Sequence, residues 1–281
     1  MYSAKTPLWI FLVAGTLRLL PAIIALWLGA KFIDRRRMKD YGLHLNKNWW
    51  IDLVFGMGLG TFLISLIFVI ELGLGWVSIS GTAHVHNSHN PFIVPFLVFF
   101  LYIICQAAFE ELLARGYLFR NFAEGLNFKK IGVRRAAWLS WIVISLLFGL
   151  AHLGNPDATV ISTLNLIMIG LTLGAGVLLT GELAIPIGLH LSWNFAQGNI
   201  FGFPVSGLSY PSEIASLVRI EQNGPKLWTG GKFGPEAGLL GIAANLIGLL
   251  LIILWTRSEK KETACCGDRT EILTGSNHEE K

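Results

Sequence analysis

Charged residues are scarce in this chain, and no stretch has the character of a separate soluble domain. Only 14% of the 281 residues are charged, against about 25% in an average soluble domain. Hydrophobic residues make up 53%. A nucleic-acid-binding protein would need a basic, aromatic-rich soluble face, which the sequence lacks. The composition therefore indicates an integral membrane protein and argues against nucleic acid as a partner.

Cysteine is also scarce, and the three cysteines are Cys105, Cys265 and Cys266. Cys105 lies in an apolar run, whereas the other two lie in the predicted cytoplasmic tail, where thiols normally stay reduced. A cysteine pair next to a membrane helix can be palmitoylated in a eukaryotic cell, although we favour two unmodified cysteines. The cysteines therefore give no indication of a disulfide framework.

Long apolar runs account for most of the chain. A helix needs about 20 apolar residues to span hydrocarbon, and seven runs approach or exceed this length: 8–31, 51–77, 92–115, 136–153, 158–180, 183–201 and 237–255. The sixth run is the weakest. The first is too long for a cleaved signal and contains Arg18 and Pro21, so we expect a retained helix with Arg18 facing protein or water. The predicted fold class is an all-α polytopic helical membrane protein with about seven to eight transmembrane helices.

Lysine and arginine are distributed unevenly between the connections. They crowd the connections after the first and third runs and the tail after the seventh, whereas the connection 78–90 contains neither. The positive-inside rule therefore predicts a cytoplasmic C-terminus. The tail 256–281 is polar and without periodicity, which predicts disorder. We expect a multi-pass protein of the plasma membrane, with the endoplasmic reticulum as the alternative.

Two adjacent glutamates, Glu110 and Glu111, lie in the third apolar run, close to Arg115. Ionisable groups within a bilayer are costly and usually functional. Residues four apart share a helix face, so Glu111 and Arg115 can pair, whereas Glu110 points about 100° away around the axis. We expect Arg115 to neutralise Glu111 and to leave Glu110 free for chemistry. A carboxylate in a poorly solvated site approaches the strength of a general base near neutral pH.

Two later apolar runs carry one histidine each, with a partner one helical turn away. In Phe148-x-x-x-His152 an aromatic ring can hold the imidazole in place, and in His190-x-x-x-Asn194 an imidazole lies beside a carboxamide. The second pair can donate hydrogen bonds to the oxyanion of an acyl-transfer reaction. With Glu110, these groups supply a base, a second proton-handling group and an oxyanion site, which is a complete set for amide hydrolysis.

Each motif also has a structural interpretation. A Glu–Arg pair often only joins membrane helices, and a histidine on an apolar helix is more often a packing residue. The alternative function is a non-catalytic membrane scaffold or transporter that uses the same polar cluster structurally. We favour catalysis because the members of the cluster complement one another chemically. One difficulty is depth, since the predicted spans place Glu110 and His190 toward the cytoplasmic side and His152 at the outer side.

Three motifs on separate membrane helices, taken in their order along the chain, resemble the CPBP (Abi) family of intramembrane proteases: Glu110-Glu111-x-x-x-Arg115, Phe148-x-x-x-His152 and His190-x-x-x-Asn194. That family includes the type II CAAX prenyl endopeptidase, which removes the last three residues of prenylated proteins. The resemblance covers about residues 95–200, with weaker support from Gly230 to Glu236. It implies a catalytic membrane domain over 91–255, with unmatched N-terminal helices over 1–90 and the cytoplasmic tail over 256–281.

The resemblance also implies a role for each residue of the motifs. Glu110 and His152 would activate a water molecule, and His190 and Asn194 would stabilise the oxyanion. Glu111, Arg115 and Phe148 would support the site. Members have been described as metalloproteases, and a zinc ion would use Glu110, His152 and His190. Because a His-Glu-x-x-His signature is absent, we favour a metal-free glutamate mechanism with no cofactor.

The expected partners are a peptide or membrane-anchored protein substrate and the lipid bilayer. One loop adds a question about access to the site. Its residues 201–235 are rich in glycine, proline and serine, a composition that fixes turns rather than extending a helix. A lid and a packing element both fit this composition, and we favour packing.

Overall fold

The computed structural model describes residues 6–85, 90–209, 213 and 215–263, and these form a helical bundle with one small sheet. The helices are α1 Leu8–Leu28, α2 Lys47–Gly73, α3 Ile93–Glu111, α4 Phe119–Leu126, α5 Gly132–Ala151, α6 Val160–Thr180, α7 Ala184–Phe195, α8 Lys226–Thr229 and α9 Leu239–Thr263. Wider π-helical turns cover Gly29–Ile33, Leu112–Leu118 and Ala196–Ile200, and 3-10 turns cover Met38–Tyr41, Gly231–Phe233 and Pro235–Ala237. Cys265, Cys266 and most of the predicted disordered tail lie outside the described residues.

Polar residues at the helix ends explain several boundaries. The side chain of Asn46 accepts a hydrogen bond from the Trp49 amide at the start of α2. Thr159 caps α6 in the same way by accepting from the Ser162 amide. Such caps satisfy backbone donors that the first helical turn leaves free. At its other end α6 stops at Gly181, which has a φ of 75°.

The third apolar run is longer in the structure than the sequence predicted. The helix does not end near residue 115 but continues through Leu112–Leu118 into α4, so that one apolar element covers Ile93–Leu126. Two arginines allow this continuation because both are buried and hydrogen-bonded. Arg115 donates to Glu111, and Arg120 donates to the carbonyl of Gly181 at 2.7 Å.

Six helical elements of the described chain are long and apolar enough to cross a membrane, whereas the sequence predicted seven to eight spans. They are Leu8–Ile33, Lys47–Gly73, Ile93–Leu126, Gly132–Ala151, Val160–Thr180 and Leu239–Ser258. The run 183–201 is the exception. It forms α7 and the following π turn, which are shorter and almost completely buried by the other helices. The polytopic helical fold is confirmed, with α7 as its central helix.

Glycines allow α2 to approach α7 closely. A Cβ on Gly56 would lie 2.5 Å from the carbonyl oxygen of Ile185, and one on Gly60 would lie 2.5 Å from that of Leu189. On the other helix, a Cβ on Gly188 would lie 2.3 Å from the carbonyl oxygen of Leu53. Small residues at this spacing are typical of membrane helices whose backbones come into contact. The packing of α2 therefore fixes the position of α7.

A two-stranded antiparallel sheet, which the sequence analysis did not predict, covers one end of the bundle. Strand β1, Val77–Val85, follows α2, and strand β2, Ala215–Gln222, precedes α8. The register pairs Val77 with Gln222 and Val85 with Ala215, with an irregularity between Ile79 and Gly81. We call this end of the bundle, with β1 and β2, the sheet end. The opposite end, with the connections 34–46, 127–131 and 181–183, is the basic end.

Candidate active site

A cavity of about 800 Å³ lies inside the bundle. Its walls come mainly from α3, α5, α6 and α7, α1 contributes Arg18, and the loop 205–208 closes part of it. All four predicted catalytic residues line it: Glu110, His152, His190 and Asn194. The three motifs, which are far apart in sequence, therefore meet in one place.

The buried pair Glu111 and Arg115 lies behind this cavity and contacts His190 and Phe148. Arg115 Nη1 donates to Glu111 Oε1 at 3.0 Å, and the two side chains are 1% and 0% exposed. The same Glu111 oxygen lies 2.7 Å from Nδ1 of His190. A carboxylate only accepts hydrogen bonds, so Nδ1 of His190 carries the proton in this contact. Glu111 therefore fixes the orientation of the His190 ring.

The other ring nitrogen of His190 faces Glu110. Its Nε2 atom lies 3.8 Å from Glu110 Oε2, too far for a direct hydrogen bond but close enough for electrostatic attraction. Glu110 is more accessible than Glu111, with 21% of its side chain exposed. It also accepts a hydrogen bond from Gln106 Nε2 at 3.2 Å. Of the two glutamates, Glu110 is thus the one that faces the cavity, as the helical geometry predicted.

His152 is held by the residue one turn before it. Its Nδ1 atom lies 2.7 Å from the carbonyl oxygen of Phe148, so Nδ1 is the donor and Nε2 is left to face other partners. The ring of Phe148 lies 4.9 Å from that of His152 and 6.2 Å from that of His190. The guanidinium of Arg115 lies over the Phe148 ring, with its Cζ atom 4.2 Å from the ring centre. Phe148 therefore connects the supporting Arg115 with both histidines.

Asn194 lies one turn after His190 on α7. Its side chain is 6% exposed and lines the cavity. Unlike most buried amides, it makes no hydrogen bond to any described residue. Its carboxamide is therefore available to a ligand oxygen in the cavity, together with the neighbouring imidazole.

Sequence reasoning missed one carboxylate of the cavity, Glu236. This side chain is 3% exposed and accepts hydrogen bonds from both the amide and the hydroxyl of Ser206. Burial raises the pKa of Glu236 to about 7. Asn155 Nδ2 in turn donates to the carbonyl of Ser206 at 2.8 Å, which ties the turn after His152 to the same loop. The only available signal was the Gly-Pro-Glu run in a loop assigned to packing.

The difficulty with depth follows from the misplaced boundary of the third run. Because the helical element extends to Leu126, Glu110 lies near its middle and not near its end. His152 lies directly after α5, where its backbone amide closes the last turn onto Gly149. The cavity reaches from the level of Glu110 to the sheet end, where Asn155 and Ser206 line it. One cavity can therefore contain both residues.

The residues that the sequence offers for zinc are Glu110, His152 and His190, and all three line the cavity. Across the described ranges, no group of three or more His, Cys, Asp or Glu side chains lies close enough together to hold a metal ion. Glu110, His152 and His190 line the same cavity but are not arranged as a ligand set.

These observations define an integral membrane protein with a buried Glu–His site. Residues 92–196 match the family model described as Type II CAAX prenyl endopeptidase Rce1-like. The match runs from α3 to α7 and contains all three motifs, so the resemblance to CPBP proteases is confirmed over this segment. No curated protein and no solved structure matches the chain. Arg18 and Glu236, which also line the cavity, lie outside the matched segment.

Proposed function

We propose that this protein is an intramembrane endopeptidase that hydrolyses a peptide bond with water activated by Glu110 and His152. The observation that carries the proposal is that three separate motifs deliver Glu110, His152, His190 and Asn194 to one cavity. A purely structural polar cluster would satisfy its own groups. Here Glu110 is partly exposed and Asn194 makes no hydrogen bond to a described residue.

Water activation requires a base that is held but not neutralised. Glu110 fits because the nearby cation, Arg115, is bonded to Glu111. In the proposed reaction a water oxygen attacks the carbonyl carbon while the water proton moves to Glu110. The Nε2 atom of His152 accepts a hydrogen bond from the same water and orients it. When the C–N bond breaks, Glu110 returns the proton to the leaving amine, as a general base that becomes a general acid does.

The oxyanion that forms needs hydrogen-bond donors aimed at the carbonyl oxygen. His190 and Asn194 are suited to this role, since they are one turn apart on the same helix and both line the cavity. With Nδ1 hydrogen-bonded to Glu111, a protonated His190 directs its Nε2 proton toward the cavity. A preorganised donor of this kind is worth about 3–4 kcal/mol in the transition state.

The proposed mechanism needs no metal, since every proton transfer has a residue to carry it. Glu111, Arg115 and Phe148 act as positioning residues because they touch His190 and His152 and not the substrate. The proposed substrate is a peptide or membrane-anchored protein, in the plasma membrane in preference to the endoplasmic reticulum. Apolar residues from α3, the π turn after it and α5, among them Phe109, Leu113 and Leu147, line the cavity and suit a hydrophobic segment.

The test is cleavage of a peptide library by chelator-treated protein in detergent or lipid, compared with Glu110→Ala. We expect cleavage without metal and a loss of about 100-fold or more in the variant, since general-base catalysis contributes roughly 10²–10⁴-fold. Glu221→Ala is the matched control, because Glu221 is exposed on β2. Unchanged activity of folded Glu110→Ala would refute the assignment. Activity restored only by zinc would indicate a metalloprotease, and the absence of any cleavage would favour the scaffold or transporter.

A further inference from the structure

Arg18 is a cation of the cavity that the proposed mechanism does not use. It lies on α1, outside the segment that matches the protease family, and lines the cavity together with Gln106, Phe109 and Glu110 of α3. Among the described lining residues, it is the one that carries a guanidinium or ammonium group. Its presence in an apolar helix therefore calls for a partner.

The depth of Arg18 makes a lipid phosphate an unsuitable partner. Helix α1 covers Leu8–Leu28, and Arg18 is its central residue. At ~1.5 Å per residue it lies ~15 Å from either end, which equals half the thickness of a hydrocarbon core of about 30 Å. An arginine near a helix end can reach the headgroups, but one at the centre of the helix normally faces protein or a water-filled cavity. The cavity lies on the side of α1 that carries Arg18.

The protein itself only partly satisfies the guanidinium. Arg18 Nη1 donates to the hydroxyl of Tyr102 at 3.3 Å, a long bond to a neutral group. No described carboxylate lies within 4.0 Å of the Arg18 guanidinium. By contrast, Arg115, which lies behind the cavity, has the Glu111 carboxylate at 3.0 Å. Arg18 is exposed and lines the cavity. The planar guanidinium of Arg18 has N–H donors whose geometry matches a carboxylate. Most of these donors are therefore free to bind a ligand.

We infer that Arg18 binds a carboxylate of the peptide substrate and so makes the enzyme selective for substrates that bring an anionic group to this wall of the cavity. The inference rests on the proposed peptidase function. A peptide offers two carboxylates of the same chemistry, its free C-terminus and an acidic side chain. Either would offset the charge of Arg18 while the apolar lining contacts the neighbouring side chains.

Three fluorogenic peptides of one sequence separate these sources: the free acid, its C-terminal amide, and the free acid with each Asp or Glu replaced by Asn or Gln. We compare kcat/KM for wild type, Arg18→Gln and Arg18→Lys in a neutral detergent. Arg37→Gln is the charge control, since Arg37 is 70% exposed and lies outside α1. Wild type should favour one carboxylate peptide by about tenfold or more, as expected for a charge-assisted hydrogen bond. Arg18→Gln should abolish that preference, and Arg18→Lys should retain part of it.

Equal cleavage of all three peptides by wild type, or an unchanged preference in Arg18→Gln, would overturn the inference without touching the proposed function. If no peptide is cleaved, the proposed function fails, and binding of the labelled free acid and amide still decides the role of Arg18. Equal binding of both peptides, with Arg18→Gln indistinguishable from wild type, would refute it. A preference in wild-type binding that is lost in Arg18→Gln would support a carboxylate site in a protein that is not a peptidase.

Discussion

The close approach of α2 to α7 predicts that alanine will be far more destabilising at Gly60 than at the neighbouring Gly58 of α2. A Cβ on Gly60 would lie 2.5 Å from the carbonyl oxygen of Leu189, and that oxygen would have to move about 0.9 Å to reach the 3.4 Å of ordinary contact. The Ser192 hydroxyl is also in the way and can rotate, but the Leu189 oxygen belongs to the helix backbone, so α7 itself must shift. A Cβ on Gly58 meets no atom within 4 Å. Gly58→Ala is therefore the matched control on the same helix.

Both substitutions gain the same helix propensity, so their difference reports the steric cost. Forcing an extra carbon into a close-packed interface costs roughly 1–3 kcal/mol. We expect Gly60→Ala to unfold at a lower temperature than Gly58→Ala, by about 2–4 °C for each kcal/mol. The measurement is the midpoint of thermal unfolding in detergent, followed by intrinsic tryptophan fluorescence. Equal midpoints for the two variants would show that the packing of α2 on α7 is looser than the structure indicates.

The same shift should also impair the site, because His190 follows Leu189 directly on α7. The contact between His190 Nδ1 and Glu111 is 2.7 Å, and a hydrogen bond is lost near 3.6 Å. A movement of about 0.9 Å is large enough to break this contact. We therefore expect folded Gly60→Ala to lose peptidase activity at a temperature where Gly58→Ala keeps it. Full activity of folded Gly60→Ala would show that activity does not depend on α7 keeping its present distance from Glu111.

Two further predictions concern buried charge. Burial raises the pKa of Glu236 from 4.5 to about 7, so the folded state binds the proton more tightly and stability falls as pH rises through this window, by about 3 kcal/mol in total. Thermal midpoints at pH 5 and pH 8 should differ more in wild type than in Glu236→Gln; equal differences would contradict this reasoning. Glu111→Gln leaves Arg115 buried without its anion and should lower the unfolding free energy by about 3–5 kcal/mol, whereas Glu111→Leu with Arg115→Met should recover much of the loss. Denaturant unfolding of the three proteins checks this, and a double variant as unstable as the single one would refute it.

The motif residues could be assigned from the sequence because helical spacing is local. The separation of four residues alone indicates that Glu111 meets Arg115 and that Glu110 points elsewhere, and the structure agrees. The hydrogen bond from His190 to Glu111 joins two residues of different helices that are 79 positions apart in the sequence. No local pattern specifies such a pair. The contacts of the two glutamates on their own helix were predictable, whereas the contact that orients His190 was not.

Other features were missed because hydropathy reports composition and not surroundings. The third run was placed at 92–115, yet the helical element continues to Leu126, with Arg115 and Arg120 buried and hydrogen-bonded. The sheet escaped notice because β1 and β2 are separated by more than 100 residues. Glu236 lies in a loop whose composition indicates turns, and only the fold brings it to the cavity. By contrast, the expectation that Arg18 faces protein or water agrees with its place in the cavity wall.

The π-helical turns after α3 and α7 let the side chains before each turn and those after it face different directions around the helix axis. A π turn contains one more residue than an α turn, so the side chains that follow it are turned by about 100° relative to an uninterrupted helix. Leu112–Leu118 begins directly after Glu111, and Ala196–Ile200 begins two residues after Asn194. The first turn lets Glu110 face the cavity and Glu111 contact His190, while Arg120 reaches Gly181 at the basic end. Each half of the helix can thus meet its own partners without rotating the other.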